Sequence, residues 1–129
     1  MKECVFCSQA CKKAGVLENE QYYCLFDLNP VTKGHMLIVP KEHKKSFFDF
    51  NSRELELFYD LLKKAKQLLS KKYFPDGYNI GINNGKAAGQ TITHLHIHLM
   101  PRYFGDTSDP RGGVRNIIPK KGNYLKNRK

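Results

Sequence analysis

Seven residues constrain this chain more than any others: His94-Leu95-His96-Ile97-His98-Leu99-Met100. Histidine and aliphatic side chains alternate with a period of two. In an extended strand, that period sends Leu95, Ile97 and Leu99 to one face and His94, His96 and His98 to the other. The aliphatic face belongs in a core. Three imidazoles on the opposite face resist a purely structural explanation, because each would need its own buried polar partner. Imidazole is also the side chain best suited to proton, metal and nucleophilic chemistry near neutral pH.

A single metal ion held by all three rings is a poor fit. At a strand rise of about 3.3 Å per residue, the backbones of residues 94 and 98 lie about 13 Å apart. A zinc ion about 2 Å from each nitrogen reaches adjacent His-x-His neighbours easily and all three only with strain. The three rings are therefore expected to have separate tasks. Just upstream, Asn83-Asn84-Gly85-Lys86-Ala87-Ala88-Gly89-Gln90-Thr91 places two glycines and two neutral hydrogen-bonding side chains in a loop. Such a loop suits phosphate oxygens, although its Asn-Gly and Ala-Gly pairs are also ordinary turn residues.

The cysteines add a second constraint. Cys4, Cys7, Cys11 and Cys24 all lie in the first quarter of the chain. Cys4-Val5-Phe6-Cys7 is a C-x-x-C pair, half of a zinc site, with His35, His43 and His94 as candidates for the other half. A redox role is less favoured, since no strand precedes the pair.

Length and composition set the class. The chain has 129 residues with 40% hydrophobic and 26% charged content, enough for one globular core. No apolar run reaches the length of a membrane span, and Met1-Lys2-Glu3 opens without the apolar region of a secretory signal. A cytoplasmic protein with reduced thiols is expected. The formal charge of +10 favours anionic partners. Part of it belongs to a solvated helix face at Lys63, Lys64, Lys66, Lys71 and Lys72. Another part belongs to a frayed basic tail at Lys120, Lys121, Lys126, Arg128 and Lys129. No recognised nucleic-acid motif accompanies the charge, so we read it as steering small phosphorylated ligands rather than nucleic acid.

Residues 21–28 read as an aromatic-rich strand, 35–39 as a second strand stopped by Pro40, and 78–83 as a third, before the histidine strand. Between them lies a helix. Asn51 is its expected N-cap with Glu54 at the reciprocal position, and Phe50 and Leu55 can form a staple. Leu55, Phe58, Tyr59, Leu62, Ala65 and Leu69 recur at helical spacing as its core stripe. From Gly105 onward the sequence is irregular. Arg111 and Arg115 there suit either phosphate contact or a turn with solvated charges, the second being favoured. The whole predicts an α+β domain with a mainly antiparallel sheet.

Two segments resemble a known family. Gly89-Gln90-Thr91-Ile92-Thr93-His94-Leu95-His96-Ile97-His98-Leu99-Met100-Pro101-Arg102 looks like the histidine triad (HIT) motif of nucleotide hydrolases and transferases. Asp27-Leu28-Asn29-Pro30-Val31-Thr32-Lys33-Gly34-His35-Met36-Leu37-Ile38-Val39-Pro40-Lys41-Glu42-His43 is similar to that family's strand-turn-strand. The resemblance runs from about Cys4 to Arg102. It implies one domain over 1–129 with a variable tail from 104, and a five-stranded sheet with one long helix. That sheet would continue across a homodimer.

The resemblance also implies roles. His96 would be the nucleophile toward the α-phosphorus of a purine nucleotide. His98 would contact the phosphate or leaving group, and His35 would orient the triad. Gln90 and Thr91 would hold phosphate oxygens with Asn83 close by. Asp27 would accept from the ribose hydroxyls, the less favoured alternative being an Asp that simply initiates a turn. Val5, Phe6, Leu25 and Leu28 would border the base, or serve only as core. As in many bacterial members, Cys4, Cys7, His43 and His94 would bind a structural zinc ion. Cys11 and Cys24 receive no role. The substrate would be a dinucleoside polyphosphate or a nucleoside phosphoramidate. A non-catalytic nucleotide-binding module and a nucleotidyl transferase remain the alternatives.

Overall fold

A computed structural model describes residues 4–125. Lys126, Arg128 and Lys129 of the expected basic tail, and the opening Met1–Glu3, lie outside the described residues. Five strands form one sheet: β1 (Leu17–Glu18), β2 (Tyr22–Phe26), β3 (Met36–Pro40), β4 (Gly77–Ile82) and β5 (Ile97–Arg102). Their order is β1-β2-β3-β5-β4, and every neighbouring pair is antiparallel. The architecture is α+β, as expected. The strand that periodicity could not find is β1, whose two residues are too short to show a period.

Both faces of the sheet are covered, so β2 and β3 are continuous buried runs. On one face Tyr22, Cys24, Met36, Ile38, Leu95, Ile97 and Leu99 pack against the long helix α2 (Ser52–Tyr73), the second helix of the chain after the short α1 (Gln9–Lys13). On the other face Tyr23, Leu25, Leu37 and Val39 pack around Phe6. That second face is the one that carries the histidines, because His98 sits opposite Leu37 in the β3–β5 register.

Helix α2 begins as its sequence dictates. The Asn51 side chain accepts from the Glu54 amide at 2.8 Å, and Glu54 accepts from the Asn51 amide at 3.2 Å, a complete capping box. The stripe it buries differs from expectation. Leu57, Phe58, Leu61, Ala65 and Leu69 are buried, whereas Leu55 and Tyr59 are exposed. At 100° per residue, those two lie about 80° and 120° round the helix from Ala65, outside the stripe facing the sheet. Leu62 flanks it. The expected staple gives way for the same reason: Phe50 is buried against Tyr22 and Phe47 while Leu55 faces out. The five lysines of the solvated face are all exposed.

Two further departures concern the ends of the expected histidine strand and the tail. The ladder starts only at Ile97; residues 92–94 form a bend, and the Leu95 amide donates to the Lys44 carbonyl at 2.7 Å. Burial still alternates, with Leu95, Ile97 and Leu99 in the core. The region after Gly105 is also more ordered than its composition suggests. It holds a 3₁₀ turn over Gly113–Ile117 and a short helix, Pro119–Gly122, that contains Lys120 and Lys121. Arg111 pairs with Asp109, and Arg115 donates to the carbonyls of Gly122 and Lys121, so both arginines serve the turn. No helix among the described residues is long and apolar enough to cross a membrane.

Candidate functional site

Four side chains converge where the N-terminal turn meets the chain entering β5. A 3₁₀ turn over Val5–Cys7 brings Cys4 and Cys7 to the same side, closed by the Cys7 amide donating to the Cys4 carbonyl at 3.1 Å. His43 comes from the segment after β3, and His94 from the bend before β5. The Nδ1 of His94 lies 3.3 Å from Cys4 Sγ and 3.4 Å from Cys7 Sγ; His43 Nδ1 lies 3.5 Å from Cys7 Sγ. All four ligand atoms fall within 4.8 Å of one another.

Those separations fit a tetrahedral ion. With zinc–sulfur bonds of about 2.3 Å and zinc–nitrogen bonds of about 2.0 Å, neighbouring ligand atoms sit about 3.3–3.8 Å apart. His94 is also oriented for ligation: its Nε2–H donates to the Pro40 carbonyl at 2.7 Å, leaving the Nδ1 lone pair toward the sulfurs. Burial pushes the His94 pKa down, keeping the ring neutral, and burial beside Cys4 pushes the Cys7 thiol up. The set is two thiols and two imidazoles with no carboxylate, the donor chemistry of a structural zinc site that can be closed without water.

The remaining histidines form a second group. His96 is half-buried between the rings of Phe6, at 5.0 Å, and His98, at 5.2 Å. Its Nδ1–H donates to the His94 carbonyl at 3.1 Å, so the lone pair sits on Nε2. His98 Nδ1 lies 2.9 Å from Nε2 of buried His35. Asp27 Oδ2 approaches the same His35 nitrogen at 3.5 Å, while Asp27 Oδ1 accepts from the Asn29 amide, the turn expected of that residue. Burial, then the adjacent His96 and His35 rings, hold the His98 pKa down at about 4, against the opposing pull of Asp27. Burial likewise lowers His35.

The turn preceding β3 delivers His35 to this place. Gly34 has φ +90°, and a Cβ there would lie 2.8 Å from Tyr73 Cδ2, so the turn passes directly under the end of α2. His98 opens onto a cavity of 870 Å³ lined also by Val31, Gly81, Asn83 and Met100. A smaller apolar cavity of 230 Å³ lies between α2 and β4, away from the histidines.

The other expected contact residues are placed unevenly. Gln90 uses both ends of its amide within the protein: Oε1 accepts from Gly85 N at 2.8 Å, and Nε2 donates to the Lys45 carbonyl at 3.0 Å. It shapes the loop, whereas Thr91 is exposed at the loop's end. Phe6 and Leu25 are buried in the second core cluster, while Val5 is exposed and Leu28 is 94% exposed. Cys24 is buried, and Cys11 receives a contact from the Tyr23 hydroxyl at 3.6 Å. The Pro40 and His94 carbonyls and the Val31 amide, which complete the histidine geometry, are main-chain groups with no side-chain signature.

A HIT domain family model matches residues 9–105. The chain is 41% identical over 118 residues to an uncharacterized HIT-like protein of Methanocaldococcus jannaschii, covering 88% of this chain and 91% of that one. The crystal structure of a zinc-bound histidine triad family protein from Mycobacterium smegmatis superimposes with a TM-score of 0.71 at 32% identity, covering 82% of this chain and 79% of that one. Two similar proteins carry names of enzymes. An adenylylsulfatase of Arabidopsis thaliana is 33% identical over 78% of this chain, and a bis(5'-nucleosyl)-tetraphosphatase of Schizosaccharomyces pombe is 34% identical over 64% of it. The matches span 52% and 46% of those two proteins.

Proposed function

The chain belongs to the HIT domain family, and from that premise we propose that it hydrolyses a nucleotide at the α-phosphate through a covalent His96 intermediate. The observation that carries this reading is the hydrogen bond from His96 Nδ1 to the His94 carbonyl, which leaves the Nε2 lone pair free for attack. That lone pair forms a bond to the α-phosphorus as the leaving group departs with its electron pair. Water then attacks phosphorus, the N–P electrons return to Nε2, and the water's proton passes to solvent. A nucleoside monophosphate is released. Splitting one displacement into two is the gain of the covalent route. Asp27 is assigned to the ribose hydroxyls, His98 to the leaving-group side, and the loop over 83–91 to the phosphate oxygens.

Substrates in keeping with this reading are dinucleoside polyphosphates, nucleoside phosphoramidates and adenylyl sulfate. The last is suggested by the name of the Arabidopsis relative. Cys4, Cys7, His43 and His94 are assigned a structural zinc ion, whose chemistry when bound would be to cross-link the N-terminal turn to the segment after β3 and to the bend before β5. Thiols kept reduced for that purpose suit a cytoplasmic setting. We assign the exposed edge strand β4, with Ile80 and Tyr59 beside the apolar cavity, to a homodimer interface that continues the sheet.

Incubation of the purified protein with diadenosine polyphosphates, adenylyl sulfate and an adenosine phosphoramidate, with products separated chromatographically, tests the reading. Release of AMP supports it. Binding without turnover would favour the regulatory module, and transfer of the nucleotidyl group to added phosphate or sugar would favour the transferase.

A further inference from the structure

The geometry points to the main-chain amide of Val31 as a positioning group. By fixing the proton positions on His35 and then on His98, it makes His98 a neutral Nε2–H donor toward the leaving group. The inference rests on the hydrolase reading for what that donor does, and on hydrogen-bond logic alone for how it is set.

An amide N–H can only donate. The Val31 amide lies 3.2 Å from His35 Nδ1, so that nitrogen must present its lone pair. The single proton of neutral His35 therefore sits on Nε2. Asp27 Oδ2, at 3.5 Å from the same nitrogen, favours the same arrangement. His35 Nε2–H then donates to His98 Nδ1 at 2.9 Å, and His98 must in turn carry its proton on Nε2. Among the described residues no protein atom takes that proton, and His98 lines the 870 Å³ cavity. The chain of three groups thus ends in an N–H available to a ligand.

Protonating His98 would break this chain. A proton on Nδ1 would face the Nε2–H of His35, and His35 cannot reverse its tautomer without setting Nδ1–H against the Val31 amide. The groups around His98 are His96 on the approach to β5, His35 before β3 and Asp27 after β2, and burial among them already disfavours the charged ring. His98 accordingly offers a hydrogen bond rather than a transferable proton. When His96 Nε2 bonds to phosphorus and the bond to the leaving oxygen breaks, the electron pair leaves on that oxygen and the His98 N–H stabilises the oxyanion. A phosphate or sulfate leaving group departs in this way as a stabilised anion, whereas the amine of a phosphoramidate would take its proton from solvent as the P–N bond breaks.

Long-range ¹H–¹⁵N correlation spectra of the histidine rings in the protein as purified, near pH 7, read the tautomers directly. Both His35 and His98 are expected as Nε2–H; an Nδ1–H tautomer at His98 overturns the inference. Val31→Pro removes the amide proton and should let His35 and His98 populate both tautomers. It should also lower kcat on the order of 10²-fold, with KM less affected. Val31→Ala keeps the amide and should keep both tautomers. A Val31→Pro protein with unchanged ring spectra would contradict the role of the amide. If that variant does not fold, the wild-type spectrum decides alone. The spectra need no substrate, so absence of turnover would sink the hydrolase reading without touching the tautomer assignment.

Discussion

His94 Nε2–H donates to the Pro40 carbonyl at 2.7 Å, and this one bond links the candidate metal set to the sheet. Pro40 ends β3, so strand geometry fixes the direction in which the His94 Nδ1 lone pair points. Elemental analysis of protein purified without added metal should find about one zinc ion per chain, and His94→Ala should reduce it well below that. Metal-free wild-type protein, or a Cys4–Cys7 disulfide, would contradict the assignment.

The core should respond to truncation where α2 meets the sheet. Leu61 is 1% exposed within the larger cluster. Leu61→Ala should cost about 2–5 kcal/mol by urea denaturation. At exposed Leu55, Leu55→Ala should fall within about 1 kcal/mol of wild type. Equal effects would show that the buried stripe is misassigned.

Acid should weaken the protein partly through His98. Its folded pKa of about 4 lies below the ordinary histidine value of 6.5, so the unfolded chain binds more protons between these values. Stability from this group is complete above about pH 6.5 and is lost as pH falls toward 4. His35 and His94 are shifted in the same direction. His98→Asn should therefore show a shallower fall of stability over that window than wild type, measured by denaturation at each pH. Identical slopes would count against the buried neutral His98.

The exposed edge at β4 should mediate association. Sedimentation at micromolar concentration should give a mass near twice 14.9 kDa, and Ile80→Lys should shift it toward the monomer. A wild-type monomer would refute the interface.

Much of this architecture was legible because it follows from side-chain period. The alternation of Leu95, Ile97 and Leu99 predicted their common burial, and Asn51 with Glu54 predicted the start of α2. C-x-x-C spacing singled out Cys4 and Cys7, and their meeting with His43 and His94 followed from the resemblance. What stayed hidden was tertiary or main-chain in origin. The helix stripe was rotated because Leu55 and Tyr59 share its period but not its face. The early exit of His94 from the strand ladder depends on a carbonyl of Lys44, far away in sequence. Gln90 looks like a ligand for phosphate by type, yet its amide bridges Gly85 and Lys45, a role set by loop closure. The Val31 amide has no residue-specific signal at all, since every residue but proline has one.

Attack of His96 Nε2 on phosphorus is tested by the turnover of His96→Asn on the best substrate of the panel. The variant should fold and still bind nucleotide but hydrolyse it on the order of 10⁴-fold more slowly or worse. Turnover close to wild type would contradict it.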